Sequence, residues 1–209
     1  STFAGQNALF GEGYPATNAE MCNPYNLATD AAGNIYVADY NNNRIRKIDV
    51  SSGAITTVAG SGIAGYQDGY NGDNIPATTA NIYNPTSVAF DNAGNMYIAD
   101  ANNNRVRKVD NTGTITTIAG NGTAGFSGNG APAKLAELQY PSGVAVDAAG
   151  NVYIADQANN MIRMVNTSGI ISTVAGNGLQ GFSGDGVQAI ATRLYYPADV
   201  AVDGLGNLY

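Results

Sequence analysis

The sequence predicts an all-β protein in which one unit of four antiparallel strands is repeated along the chain. A run that begins at a proline and ends in a Gly-Asn turn and a tyrosine occurs four times, starting at Pro24, Pro85, Pro141 and Pro197. Self-similarity at a period near 50 residues indicates a supersecondary unit that cannot bury its apolar face alone. We therefore expect a single domain over residues 1–209.

Each full repeat contains four short segments rich in β-branched and aromatic residues, which are typical of strands. In the third copy these segments, strands a to d in chain order, are 144–146, 152–155, 162–165 and 170–174. Glycine-containing turns at 148–151 and 167–169 favour tight connections from a to b and from c to d. Four-stranded units of this length, linked from outer strand to inner strand, are the blades of a β-propeller.

The copies differ mainly in the connection between strand d of one blade and strand a of the next, as expected for a fixed scaffold with adaptable loops. About 3.7 repeats are present. We place them at 1–4 (strand d only), 24–60, 85–120, 141–176 and 197–209 (incomplete).

Composition and charge argue against several functions. The net charge is −7, and six of the nine basic residues lie in two copies of one motif, Arg44–Lys47 and Arg105–Lys108. We therefore expect no nucleic-acid partner, which would require a basic cluster. No run of 18 apolar residues is present, so we expect no membrane insertion. Histidine is absent, which removes the usual general base and the commonest zinc ligand, and we predict no catalytic residues.

The pattern P-x-x-V-A-V-D-x-x-G-N-x-Y-I-A-D-x-x-N-N-R-I-R-K-V resembles the NHL repeat, and the loop at 120–133 resembles its bacterial and teneurin-like branch. The match recurs in register over essentially the whole chain. Met161 and Met164 depart from it, because they replace the Arg and Lys of the R-x-R-K motif. The resemblance implies a β-propeller, often six-bladed, that binds proteins, nucleic acid or glycans, although a few relatives are lyases or lactonases.

Both ends of the chain fall inside a predicted strand of an otherwise regular repeat. A six-bladed ring at this period would need roughly 340 residues. We therefore expect this chain to be part of a longer protein with a ring of six or more blades. A four-bladed ring completed by the N-terminal strand is the alternative.

Aspartates recur at two positions of the repeat, and we expect both sets to be structural. Those before the Gly-Asn turns can accept turn N–H groups; they are Asp30, Asp91, Asp147 and Asp203. The second set stands with an arginine at the two ends of the b–c loop, within reach of an ion pair: Asp39 with Arg44, and Asp100 with Arg105. The third copy keeps Asp156 without that arginine, so we expect Asp156 to have another partner.

We predict that a ligand binds the rim of the propeller that carries the b–c and d–a loops. Amide and tyrosine side chains suit this rim for hydrogen bonding and stacking on a protein loop or a glycan. The candidate binding residues are Asn41, Asn42, Asn43, Tyr66, Asp68, Tyr70, Asp73, Asn102, Asn103 and Asn104.

A non-enzymatic binding or scaffold module of a secreted or cell-surface bacterial protein is therefore the leading hypothesis, with the location inferred from the family resemblance. One alternative is a metal-assisted hydrolase or lactonase-like enzyme that uses the central channel. Another is a structural array that self-associates through open blade edges.

Two features are weak candidates for a metal site. The loops at 68–73 and 181–186 are rich in oxygen ligands, but neither has the spacing of an EF-hand calcium loop. On the innermost strand, Asp199 with Asn26 forms a candidate half-site in the channel. One carboxylate with neutral neighbours binds hard cations weakly. We therefore predict no cofactor, no tightly bound calcium, and no esterase or lactonase activity.

Overall fold

The computed structural model describes residues 11–63 and 70–209. In chain order the strands of these two ranges are β1 (Pro24–Thr29), β2 (Ile35–Asp39), β3 (Arg44–Ile48), β4 (Ile55–Ala59), β5 (Ile75–Pro76), β6 (Pro85–Phe90), β7 (Met96–Asp100), β8 (Arg105–Val109), β9 (Thr114–Ala119), β10 (Pro141–Val146), β11 (Val152–Asp156), β12 (Met161–Val165) and β13 (Ile171–Ala175).

Single-turn 3-10 helices lie between these strands. They are Ala16–Asn18, Tyr40–Asn42, Ala77–Thr79, Ala101–Asn103, Ala133–Leu135, Gln157–Asn159 and Ala189–Ala191. Within the described ranges, no helix has the length and apolar character needed to cross a membrane.

The strands form three antiparallel sheets: two of four strands, β1-β2-β3-β4 and β10-β11-β12-β13, and one of five, β6-β7-β8-β9-β5, in which β5 adds to the outer edge of four blade strands. The prediction of four-stranded antiparallel blades is confirmed. The inner strand of the third blade begins three residues earlier than predicted, because Pro141 already pairs with Asp156. In the fourth repeat an antiparallel bridge between Val202 and Leu208 begins the next hairpin.

The connection that enters each blade first runs along the outer edge of that blade, a feature that the sequence pattern did not predict. Strand β5 pairs antiparallel with β9, and Ile75 stands opposite Ile115. Single bridges repeat this arrangement at Pro15 with Ala54 and at Pro132 with Ile170. Proline is tolerated at an edge because its nitrogen has no hydrogen to donate. In the described blades, part of the outer edge is thus covered by the connection.

The apolar core lies between neighbouring blades. Ile45 of the first blade packs in one cluster with Ile98 and Ile115 of the second blade. A second cluster joins Val106 of the second blade to Ile154 of the third. Full burial of such a side chain contributes about 1.5–3 kcal/mol. Each blade is therefore stabilised mainly by its neighbour, as expected for a repeat that cannot bury its own apolar face.

An Ala-Gly pair ends the outer strand of each complete blade, and its glycine is needed for two reasons. Gly60, Gly120 and Gly176 have φ values of +94°, +89° and +86°. Glycine adopts this region without the steric cost that a Cβ imposes. At Gly120, moreover, a Cβ would collide with the backbone carbonyl oxygen of Asn104 in the loop between β7 and β8.

We expect Gly120→Ala to lower the free energy of unfolding much more than Gly113→Ala. Both glycines have positive φ, +89° and +82°, so both substitutions carry similar backbone strain of about 1–2 kcal/mol. Only at Gly120 does the new methyl group meet backbone atoms, since the space beside Gly113 is open. Urea unfolding should separate the two variants by at least about 2 kcal/mol. Equal losses would contradict this explanation of the Ala-Gly pair.

Candidate functional site

Strand c of each complete blade carries a buried arginine that is joined to the aspartate at the end of strand b. The side chains of the three arginines and of the three aspartates are all 0% exposed. The N–O distances are 3.8 Å for Arg46 with Asp39, 3.3 Å for Arg107 with Asp100, and 3.3 Å for Arg163 with Asp156.

The prediction that Asp39 pairs with Arg44 and Asp100 with Arg105 was therefore wrong. The ion pairs are formed with Arg46 and Arg107 instead. The guanidinium of Arg105 instead donates to the carbonyl oxygens of Asn103 and Asn121 at the rim. Arg44 does the same with Asn42 and Ser61. The aspartates are buried beneath the loop, so they meet the arginine two residues further along strand c. This also explains how Asp156 is neutralised in the blade that lacks the rim arginine.

A third polar group reaches each buried arginine from the connection that precedes the blade. It is Glu12 for Arg46, Asp73 for Arg107 and Asn129 for Arg163. Asp73 Oδ1 lies 3.2 Å from Arg107 Nη2 and also accepts the backbone N–H of Thr117 at 2.7 Å. Asp73 is thus engaged between the connection and β9, and a ligand at this carboxylate would compete with those bonds.

Electrostatics at Asp73 favour its charged form. Burial acts to raise the pKa of Asp73, but hydrogen bonds of Tyr70 and Thr117, together with Arg107, lower it overall.

The Tyr70 ring lies 3.9 Å from Cζ of Arg105, so the structure brings Tyr70 to the second asparagine-rich turn. Tyr66 and Asp68, which we also predicted to bind ligand, lie outside the described residues.

We expect Arg107→Met to lower the free energy of unfolding by about 3–5 kcal/mol, because Asp100 would stay buried without its cationic partner. Arg105→Met is the matched control. It should cost about 1 kcal/mol or less, since Met161 occupies the same position in the third blade. Urea denaturation of both variants measures the difference. A larger loss in Arg105→Met would contradict the assigned pairing.

The asparagines of the b–c turns are largely used inside the fold. Asn43 and Asn104 each accept a backbone N–H from the start of the next blade, at Asn84 (2.9 Å) and Tyr140 (3.0 Å). Asn103 donates to both carboxylate oxygens of Asp100 and is 7% exposed. The other members also have partners in the structure: Asn42 donates to Asp39, Asn102 to Asn84, and Asn41 to Cys22.

At the opposite rim, four aspartates organise the a–b turns in the same way. In each, Oδ1 accepts the backbone N–H groups two and four residues later, and Oδ2 accepts an asparagine amide and a tyrosine hydroxyl. These residues are Asp30, Asp91, Asp147 and Asp203. The hydrogen bond from the Asn207 amide is the main cause that lowers the pKa of Asp203 to about 2.

Three tyrosines from two blades meet at the rim that carries the b–c turns, and we call them the tyrosine cluster: Tyr25, Tyr40 and Tyr140. The rings of Tyr25 and Tyr40 are stacked, with centroids 4.9 Å apart and an interplanar angle of 27°. The hydroxyls of Tyr40 and Tyr140 lie 3.0 Å apart, although the residues belong to the first and third repeats. Burial, together with the hydrogen bond to Tyr40, raises the pKa of Tyr140. Tyr25 remains 59% exposed.

Next to Tyr25 in the chain, Asn26 takes part in a contact between the first and fourth repeats. Asn26 Nδ2 donates to Asp199 Oδ2 at 3.0 Å, so the structure brings together the two residues predicted as a half-site. Burial raises the pKa of Asp199, while the Val200 N–H and the Asn26 amide lower it in part. Among residues 11–63 and 70–209, no three His, Cys, Asp or Glu side chains are grouped so that they could hold a metal ion.

The tyrosine cluster was not predicted from the sequence, but a signal for it was present. At the positions of Tyr25 and Tyr40 the other copies of the repeat carry different residues, whereas Tyr196 repeats Tyr140 in the fourth copy. The counterparts of Tyr25 are Thr86, Ser142 and Ala198, and those of Tyr40 are Ala101 and Gln157. The blade therefore does not require Tyr25 or Tyr40, and such departures from a repeat mark residues retained for another reason.

The teneurin NHL domain family matches residues 63–127 and 122–183, and the NHL repeat matches residues 21–48. The teneurin NHL match covers more than half of the chain, so the chain belongs to this family, as the repeat pattern predicted. Teneurin-4 of Homo sapiens is 31% identical over 95% of this chain. Protein SUPPRESSOR OF QUENCHING 1, chloroplastic, of Arabidopsis thaliana is 30% identical over 62% of it. The chain spans only 8% and 12% of these two relatives.

Solved structures share the fold at low sequence identity. An auxiliary nutrient binding protein of Bacteroides ovatus superimposes with a TM-score of 0.63 and 16% identity, over 91% of this chain and 46% of that one. Virginiamycin B lyase of Staphylococcus aureus gives a TM-score of 0.53 and 14% identity, over 92% and 49%. The predicted β-propeller class is confirmed. The two neighbours differ in function, so the likeness extends to the fold alone.

Proposed function

We propose that this domain is a non-enzymatic binding or scaffold module that contacts a protein or a glycan at the rim of the b–c turns. The observation that carries the proposal is Tyr25, which is 59% exposed while its ring is held by stacking on Tyr40. An aromatic ring that is exposed yet held in one orientation suits recognition, because binding then costs little rotamer entropy. Since other blades replace Tyr25 with smaller residues, stability of the fold does not account for it.

Only some of the predicted binding residues on this rim have side chains that are accessible to a ligand. Asn43 and Asn103 are buried, and their amides have partners within the fold. Asn41, which is exposed, and Asn42 and Asn102, which are partly exposed, stay as candidate contacts around the tyrosine cluster. The name of the Bacteroides ovatus neighbour supports a binding role. We extend the proposal to a secreted or cell-surface bacterial protein, which the low charge and the Asn-, Thr- and Gly-rich loops support.

Hydrogen exchange of the domain with binders selected from an oligosaccharide pool and a peptide-display library tests the location of the site. We expect protection at residues 22–26, 40–42 and 139–142. Binding should be lost in Tyr25→Ser, which introduces the residue of the third repeat, and kept in Leu205→Ser, which changes a 90% exposed residue at an a–b turn. If the ligand instead protected the a–b turns from hydrogen exchange, and binding were lost in Leu205→Ser but not in Tyr25→Ser, the proposed location of the site would be wrong.

The enzyme alternative, a metal-assisted hydrolase, would use Asp199 to hold a cation that lowers the pKa of bound water. We expect no micromolar calcium binding by calorimetry and no turnover of a lactone panel by the wild-type domain. Asp199→Ala serves as the comparison. Micromolar calcium affinity together with turnover that is lost in Asp199→Ala would overturn the binding proposal in favour of catalysis.

A further inference from the structure

We infer that the ligand of this rim is a neutral glycan, with one sugar ring seated on the exposed face of Tyr25 and its hydroxyls directed to the Tyr40–Tyr140 pair and to Asp199. This inference rests on the proposed function, and it names the chemical class of the ligand. Three properties of the cluster lead to it: an available aromatic face, hydroxyls and a carboxylate with unused hydrogen-bonding capacity, and the absence of positive charge among these residues.

The aromatic face comes from the stack of Tyr25 on Tyr40. With an interplanar angle of 27° and centroids 4.9 Å apart, Tyr40 covers one face of Tyr25. The 59% exposure of Tyr25 leaves the other face open to solvent. A pyranose ring presents a flat set of C–H groups that packs on such a face, and the stacked partner keeps the tyrosine from turning away.

The hydrogen-bonding groups match a ring that carries many hydroxyls. The hydroxyls of Tyr40 and Tyr140 lie 3.0 Å apart, and only one proton is used between them, so the pair keeps one donor and several lone pairs. Asp199 accepts one bond from Asn26 and one from the N–H of Val200. An ionised carboxylate has about four acceptor positions, so Asp199 can accept further bonds from sugar hydroxyls.

Charge separates a neutral glycan from an acidic one. The tyrosine cluster and the pair of Asn26 with Asp199 contain one negative and no positive side chain, and the chain has a net charge of −7. A uronate, sulfate or phosphate group would be repelled by this charge, and the rim arginines Arg44 and Arg105 already donate to backbone carbonyl oxygens.

A peptide strand fits this rim less well than a glycan. Peptides that add to a sheet need unpaired backbone donors and acceptors. At this rim the backbone N–H groups of Asn84 and Tyr140, where the second and third blades begin, are already bonded to Asn43 and Asn104. The groups that remain are side-chain hydroxyls, amides and aromatic faces, which recognise sugars.

Calorimetric titration with cellohexaose, laminarihexaose and mannan oligosaccharides tests the inference, with polygalacturonate oligosaccharides and the selected peptides as comparison ligands. We expect at least one neutral oligosaccharide to bind. Tyr25→Ser should weaken that binding roughly tenfold, while Tyr25→Phe should change it by less than about threefold because the ring is kept. Asp199→Asn should weaken it about fivefold, through loss of a charged acceptor.

Tyr14→Ser is the matched control, because Tyr14 is similarly exposed (52%) and belongs to the connection bonded to Ile55 at the outer edge. It should bind as the wild type does. Urea unfolding of each variant verifies folding. Peptide or polygalacturonate binding that depends on Tyr25, with no neutral oligosaccharide bound, would overturn the glycan assignment and leave the proposed function standing. If no ligand of any class depends on Tyr25, both are wrong. If Tyr14→Ser weakened oligosaccharide binding as much as Tyr25→Ser does, the assignment would also be overturned. Such a result would show that sugars stack on any exposed tyrosine and that the cluster is not a specific site.

Discussion

Each complete blade buries an arginine, and much of the architecture follows from the need to neutralise it. A buried guanidinium costs several kcal/mol unless charged and polar partners surround it. The blade itself supplies Asp100 to Arg107, but the second carboxylate, Asp73, comes from the connection that leaves the preceding blade. The connection therefore has to cross to the outer edge, where β5 pairs with β9 and Asp73 accepts Thr117 N–H. The polar partners of the buried arginine are thus complete only when the preceding connection lies along the outer edge of the blade, while the apolar core is completed by the neighbouring blade.

Hydrogen bonding within the fold also determines which polar side chains of the rim remain available to a ligand. An unpaired polar group that is buried costs about 1–3 kcal/mol. The side chains of Asn43 and Asn103 avoid that cost by bonding to Asn84 and Asp100. An asparagine-rich turn therefore does not by itself indicate a binding surface. Tyr25 differs from these asparagines, since it is exposed and its position is filled by small residues in the other repeats.

The repeated features of the fold could be predicted from the sequence, and the features that depend on side-chain direction could not. Strand 152–155 was predicted within one residue of the observed Val152–Asp156, because a dense β-branched and aromatic run lies between glycine turns. The partner of Asp39 was mispredicted, because loop length gives proximity and not direction. The observed pair of Asp39 with Arg46 is accompanied by a register shift between Ile45 and Arg46, which no sequence pattern predicts. Strand β5 has only two residues, one of them proline, and falls below any strand signal. Contacts between the first and third repeats, such as Tyr40 with Tyr140, have no periodic signature.

Hydrogen bonds that recur between neighbouring repeats also determine how the tyrosine cluster is held. Tyr140 has a φ of +53°, a conformation that costs a residue with a Cβ about 1–2 kcal/mol. Its backbone N–H donates to Asn104 Oδ1 of the preceding blade at 3.0 Å, and this bond is repeated at Asn84 and Tyr196. The strained turn therefore belongs to the repeat, and the tyrosine side chain at Tyr140 is the variable part placed on it. Asn104, a predicted binding residue, positions the backbone of the residue that carries the hydroxyl. The proposed binding at this rim would depend on these hydrogen bonds between blades, because they fix the distance between aromatic rings that come from different repeats.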